Sequence, residues 1–154
     1  MPLEIIIGNH QQIVDMPEHW LTLLEIAAGE AVALALLHAA HKDSPLSHLA
    51  TIEVALVDDA TSARVHREFL DIEGATDVIT FHHGEIVIGA EIAKRQAEEF
   101  GEPLLREILR YLVHGLLHLA SHEDALLADR KIMEDIQESL VSRLWSAHLE
   151  HRLP

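Results

Sequence analysis

The apolar positions along this chain fall into two kinds of run. Four runs are short and rich in β-branched residues: "LEIIIG" (3–8), "ATIEVALVD" (50–58), "TDVITF" (76–81) and "GEIVIG" (84–89). Their length, and the alternation in the second, predict strands. Only His82 and His83 separate the last two, which fits a hairpin. The other runs repeat their apolar residues with helical period. Residues 15–42 predict a long helix, with Asp15 as N-cap and Pro17 in the first turn. "DATSARVHREFL" (59–70) predicts a second, with Ala63, Val65, His66 and Phe69 contributing to its faces. Residues 90–100 predict a third, and "GEPLLREILRYLVHGLLHLA" (101–120) a fourth. The last helix, over 126–149, carries Ile132, Met133, Ile136, Leu140, Val141, Leu144 and Trp145 at helical spacing. The order β-α-β-α-β-β-α-α-α predicts an α+β fold, a small four-stranded mixed sheet covered by about five helices. With no linker or repeat, residues 1–154 read as one domain.

Composition narrows the chemistry. Hydrophobic residues make up 49% of 154, enough for a core. There is no cysteine, which excludes disulfides, thiolate metal sites and cysteine nucleophiles, so a metal must be held by His, Asp or Glu. Eleven Lys and Arg against 26 Asp and Glu give a formal charge of −15. That weighs against nucleic-acid binding, because polyanions are held mainly by Lys and Arg. The start "MPLEIIIGNH" lacks the basic region and apolar core of a signal peptide. The most apolar run, "AVALALLHAA", is too short to cross a bilayer, and Glu25 and Glu30 precede it on the same helix. A cytoplasmic protein is expected.

The chemistry concentrates in "HGLLHLASHED" (114–124). On a helix, residues i and i+4 share a face, so His114 and His118 can address one cation. His122 cannot join them on a straight helix, because it would stand about 12 Å from His114 along the axis. Zinc wants each nitrogen at about 2.0–2.1 Å. The helix must therefore end near Ala120 and the chain turn back, and both His122 and Asp124 lie on that return path. An i, i+4 stripe of this kind, which here includes Arg110, is often only a solvated face. The flanking Leu112, Val113, Leu116, Leu117 and Leu119 argue instead for a buried helix. Gly115 costs about 1 kcal/mol relative to Ala mid-helix, which points to a close neighbour. It also stands where H-E-x-x-H proteases keep their general base, which weighs against a peptidase.

The motif resembles H-G-x-L-H-L-x-G-Y-D-H of the YbeY family, bacterial rRNA maturation factors described as metal-dependent endoribonucleases. "VHREFLDIEGATDVITF" is similar to the family's Tyr-Arg followed by Thr-Asp-Val-Leu-Ser-Phe. "GEIVIG" resembles its Gly-Asp-Ile-x-Ile-Ser strand, and "QAEEFG" its Gln-Ala-x-x-x-Gly helix. The resemblance implies metal ligation by His114, His118 and Asp124, a carboxylate replacing the family's third histidine. It places the family's arginine near the metal cleft on Arg67, and its Thr-Asp on Thr76 and Asp77. Ser121-His122-Glu123 stands where the family has Gly-Tyr-Asp, so His122 is the substitute ligand if the turn is drawn differently. The implied protein is a zinc-dependent single-strand endoribonuclease in rRNA processing and ribosome quality control. Its partners would be RNA and the ribosome, with one metal per chain and a monomeric state. A ribosome-associated binding protein with weakened catalysis, or a hydrolase of another substrate, are the alternatives.

Arg67 takes the phosphate-clamping role by this resemblance, and Glu123 and Asp77 are candidate bases. Read without it, Arg67 is a solvated charge and Asp77 a turn cap. His82 and His83 suit a turn better than ligation. His148 and His151 fall in a mobile C-terminal end. Trp20 and Trp145 read as core residues rather than base-stacking platforms.

Overall fold

The computed structural model describes residues 3–153. Its elements are β1 (Glu4–Asn9), α1 (Glu18–Leu37), β2 (Thr51–Val57), α2 (Asp59–Leu70), β3 (Val78–Phe81), β4 (Glu85–Gly89), α3 (Ala90–Phe100), α4 (Leu104–Leu119) and α5 (Leu127–Leu144). A 3₁₀ turn (Pro45–His48) precedes β2, and a π-helical turn (Trp145–Leu149) ends α5. The four strands form one mixed sheet in the order β1-β2-β4-β3. β1, β2 and β4 run parallel, and β3 closes an antiparallel hairpin with β4. This is the α+β arrangement, and the element order, that the hydrophobic pattern predicts.

Strand alternation sorts the sheet into two faces. Ile52, Val54, Leu56, Ile86 and Ile88 point into the main core with α1, α4 and α5. Val57, Ile79 and Val87 point the other way, into a smaller cluster with Val65 of α2. The helix that carries the histidine pair, α4, is the central one. It packs against α1, α3 and α5 and against β3 and β4. Leu105, Leu109, Leu112, Leu116, Leu117 and Leu119 on it are all fully buried.

Gly115 is where α4 meets the sheet. A Cβ there would stand 3.0 Å from Ile86 Cδ1, Ile86 Cγ2 and Thr80 Oγ1. Ile86 is fully buried and cannot swing away. Overpacking of this kind costs about 1–3 kcal/mol, more than the ~1 kcal/mol of helix propensity that alanine brings. Gly115→Ala is therefore expected to be net destabilising by about 1 kcal/mol in urea unfolding. A gain in stability would show that the sheet can yield there.

Four local expectations are corrected by long-range contacts. α1 starts after Pro17, with no side-chain cap, rather than at Asp15. Val14 and Met16, either side of Asp15, are buried in the core, and Gln11 ties down the Val14 backbone, so this segment stays extended. α1 also stops at Leu37 instead of running to Lys42. The chain peels away because Ala40 N–H donates to Ala120 O, 2.9 Å, at the end of α4. On α5 the inward stripe is Met133, Gln137, Leu140, Val141 and Leu144, whereas Ile132 is exposed. His148 is not on a loose end: its Nε2 lies 2.5 Å from Glu30 Oε2 of α1, which Arg143 also approaches at 3.5 Å. α1 itself is 20 residues long with mean hydropathy 1.8, long and apolar enough to cross a membrane, unlike the ten-residue run judged from sequence. Here its Leu24, Ala27, Ala28, Ala31 and Ala35 are core residues.

Candidate metal centre

Arg110, His114 and His118 follow one another at i, i+4 along one face of α4. The helix then stops, as the ligand spacing demands. Ser121 N–H donates to His118 O (3.0 Å) and His122 N–H to Leu117 O (3.0 Å), the paired bonds of a Schellman ending. This ending needs a left-handed residue, and Ser121 supplies it with φ 73°. A non-glycine residue pays about 1–2 kcal/mol for that conformation. Ser121→Gly is accordingly expected to raise the thermal midpoint by a few degrees, equivalent to about 1 kcal/mol. A lower midpoint would mean the Ser121 side chain makes a contact worth more than the strain.

The turn brings the three expected ligands together. The Nε2 atoms of His114 and His118 are 3.1 Å apart. Asp124 Oδ2 lies 3.5 Å from the first and 3.4 Å from the second. Ligand atoms held tetrahedrally at ~2.0–2.1 Å from an ion stand roughly 3.3 Å from one another, so the triangle has the size of one face of a zinc polyhedron. Each Nδ1 meets an oxygen acceptor: Gln137 Oε1 for His114 (2.7 Å) and the His122 carbonyl for His118 (3.0 Å). The Nδ1 atoms therefore carry the hydrogens, and two Nε2 lone pairs point at one place beside a carboxylate. Lone pairs so disposed repel each other unless a cation sits between them. Burial, with the neighbouring His114 next, pushes the His118 pKa down, which keeps it in its neutral, ligating form. The donor set thus fits a divalent ion with a further coordination position left open.

His122, the substitute ligand if the turn were drawn differently, serves the turn rather than the triad. Its ring is buried, and Nε2 lies 2.6 Å from His38 O at the end of α1. The side chain anchors the turn while the backbone carbonyl orients His118. Asp124 is steadied from the far side, where Arg130 Nε donates to its carbonyl (3.0 Å).

Clefts open on either side of the triad. One, of about 870 Å³, is lined by His118, Asp124, Glu123, His41 and His82. Another, of about 570 Å³, runs from His114 past Tyr111 and Gln137 to Thr76 and Asp77. The candidate bases Glu123 and Asp77 are thus parted, one in each cleft. Arg67 lines neither. It is exposed on the last turn of α2, beyond the opposite face of the sheet, and the loop that follows it leads to Thr76. Trp145 is buried and Trp20 packs on the core. Two residues that the sequence reading passed over stand at the site. Arg130 lines a third, smaller cleft with His114 and Asp124. Gln137 touches His114 directly, and its signal was there to be seen: one amide on an otherwise apolar helix stripe.

Residues 22–145 match the model of the family described as Endoribonuclease YbeY. The chain belongs to this family. Over 157 residues it is 30% identical to the Endoribonuclease YbeY of Pelotomaculum thermopropionicum, covering 92% of this chain and 97% of that protein. It is 37% identical over 103 residues to the Endoribonuclease YbeY of Myxococcus xanthus, which covers 58% of this chain and 35% of that longer protein. A Thermotoga maritima protein solved in solution superposes with a TM-score of 0.64 at 25% identity, covering 92% of this chain and 89% of the other. His114, His118 and Asp124, the three residues to which the motif resemblance points, are the three that converge here.

Proposed function

We propose that the protein is a zinc-dependent endoribonuclease acting on single-stranded RNA in rRNA maturation and ribosome quality control. It would work in the cytoplasm as a monomer with one zinc per chain. The observation that carries this reading is the convergence of His114 Nε2, His118 Nε2 and Asp124 Oδ2 at 3.1–3.5 Å, in a chain of an endoribonuclease family. Zinc in such a site supplies Lewis-acid polarisation of a phosphoryl oxygen and a water of lowered pKa. The protein's own residues do the rest. His114 and His118 are fixed by their Nδ1 bonds with Nε2 facing the site. Asp124 offsets part of the ionic charge. The clefts on both sides let a strand lie across the triad with a phosphate facing it. Arg130 adds a cation at the cleft wall, and Arg67 is assigned the approach to the phosphate backbone from the end of α2, as a planar donor fork.

That assignment makes a separable prediction. Arg67 is exposed and has no core contact to lose, so Arg67→Ala is expected to leave zinc content and the thermal midpoint unchanged. RNA cleavage should fall at least tenfold. A large drop in thermal midpoint would make Arg67 a structural residue instead.

A second reading has an observation of its own. The formal charge of −15 and the carboxylate in place of an imidazole both disfavour a polyanionic substrate, and suit a ribosome-associated protein with weakened catalysis. Tag-free protein loaded with zinc and incubated with single-stranded RNA separates the two. Cleavage that a chelator abolishes supports the nuclease. Cosedimentation with ribosomes without cleavage supports the second reading.

A further inference from the structure

We infer that Gln137 is a positioning residue that decides which nitrogen of His114 faces the metal, and that Glu138 and Arg110 decide which way Gln137 points. The inference deepens the proposed metal reading and rests on it for its purpose, though not for its geometry.

Gln137 lies on the stripe of α5 that is otherwise Met133, Leu140, Val141 and Leu144, and it is only 8% exposed. A buried amide must satisfy both its ends. One end lies 2.7 Å from His114 Nδ1 and the other 3.1 Å from Glu138 Oε2. The oxygen and nitrogen of an amide are interchangeable in shape, so the network must tell them apart. Glu138 does so. An ionised carboxylate only accepts, hence the NH₂ group must face it.

Arg110 keeps that carboxylate ionised. Its Nε donates to Glu138 Oε2 at 2.9 Å and an Nη atom to Oε1 at 3.0 Å, a two-pronged pair. Burial pushes the Glu138 pKa up, but these bonds hold it below the ordinary carboxylate range. Arg110 is itself fixed by Glu102 (2.6 Å) and by the buried Glu107. With the NH₂ committed to Glu138, the Gln137 oxygen must face His114. Nδ1 must then carry the hydrogen, and Nε2 presents its lone pair toward His118 and Asp124. A flipped amide would reverse every step and aim an Nε2–H at the metal position. Partners of this kind around a ligating histidine typically change metal affinity 10–100-fold.

A residue that merely fills space would not set a tautomer. The test is therefore ¹⁵N NMR of the His114 imidazole in metal-free protein at pH 8, alongside zinc titration calorimetry. The wild type should show Nδ1–H. Gln137→Leu keeps the bulk and loses the acceptor. It should move His114 toward Nε2–H and weaken zinc binding 10–100-fold. Gln137→Glu keeps an acceptor toward Nδ1 and should retain the Nδ1–H form. Glu138→Gln, on a half-exposed side chain that tolerates change, lets either amide flip and should give a mixture. The inference is overturned if Gln137→Leu and Gln137→Glu give the wild-type tautomer alike, or if Glu138→Gln leaves it unmixed should Gln137→Leu not fold. Absence of zinc binding in the wild type would sink the metal reading instead, while the tautomer shift would still decide the relay.

Discussion

His114→Ala is expected to take tag-free protein from about one zinc per chain to none, and metal-activated RNA cleavage to the level of a chelator control. The size of the effect follows from the geometry. Among the described residues three protein atoms converge on the site, and the loss of His114 Nε2 leaves two, 3.4 Å apart. Removing an outer partner of a ligand costs 10–100-fold in affinity, and removing the ligand itself should exceed that. The fold should survive. The His114 side chain is partly exposed, and its loss strands only the Gln137 oxygen, about 1–3 kcal/mol. Metal analysis by mass spectrometry, a circular dichroism melt and a single-strand cleavage assay check all three statements. A variant that keeps its zinc would place the metal elsewhere.

How far the site could be read from sequence depends on how local its determinants are. The histidine pair, the glycine under it and the helix end after Ala120 all follow from spacing within one helix, and the structure shows each of them. Gly115 meets Ile86 and Thr80 as its mid-helix cost suggested. The element order was also legible, because β-branched runs and runs of helical period follow one another along the chain, whereas the strand order within the sheet rests on pairings between distant segments. What was not legible depends on partners far along the chain. Ala40 ends α1 by bonding to Ala120, eighty positions away, and His122 is drawn inward by His38. Apolar periodicity counted Ile132 in the apolar repeat of α5 and missed Gln137, because it scores hydrophobicity and cannot see that a half-buried histidine needs an acceptor. Asp15 looked like a helix cap only because the burial of Val14 and Met16 around it was invisible. The third ligand lies between these cases. Spacing left His122 and Asp124 both open, and the resemblance chose Asp124, the residue whose carboxylate the fold brings to the pair.

The two candidates are expected to fail in opposite ways. Asp124→Ala should lower zinc affinity by more than a hundredfold and leave the melting midpoint of the metal-free protein nearly unchanged, since that side chain is half-buried and its carboxylate faces the histidine pair rather than the apolar core. Protonation does not explain such a loss. Asp124 is one of the groups that raise the His118 pKa, so its removal makes His118 more readily neutral, which by itself favours metal binding. What disappears is a ligand. His122→Ala should show the converse. It keeps the backbone carbonyl that orients His118 Nδ1, so affinity should fall less than tenfold. It removes the 2.6 Å bond from the buried ring to the His38 carbonyl, a net loss of about 1 kcal/mol, and empties the space the ring fills, so the melting midpoint should fall. Zinc titration and thermal melts of both variants in one buffer decide the matter. Loss of zinc in His122→Ala with retention in Asp124→Ala would mean that the 120–124 turn rebuilds around the metal and that the third ligand is an imidazole after all.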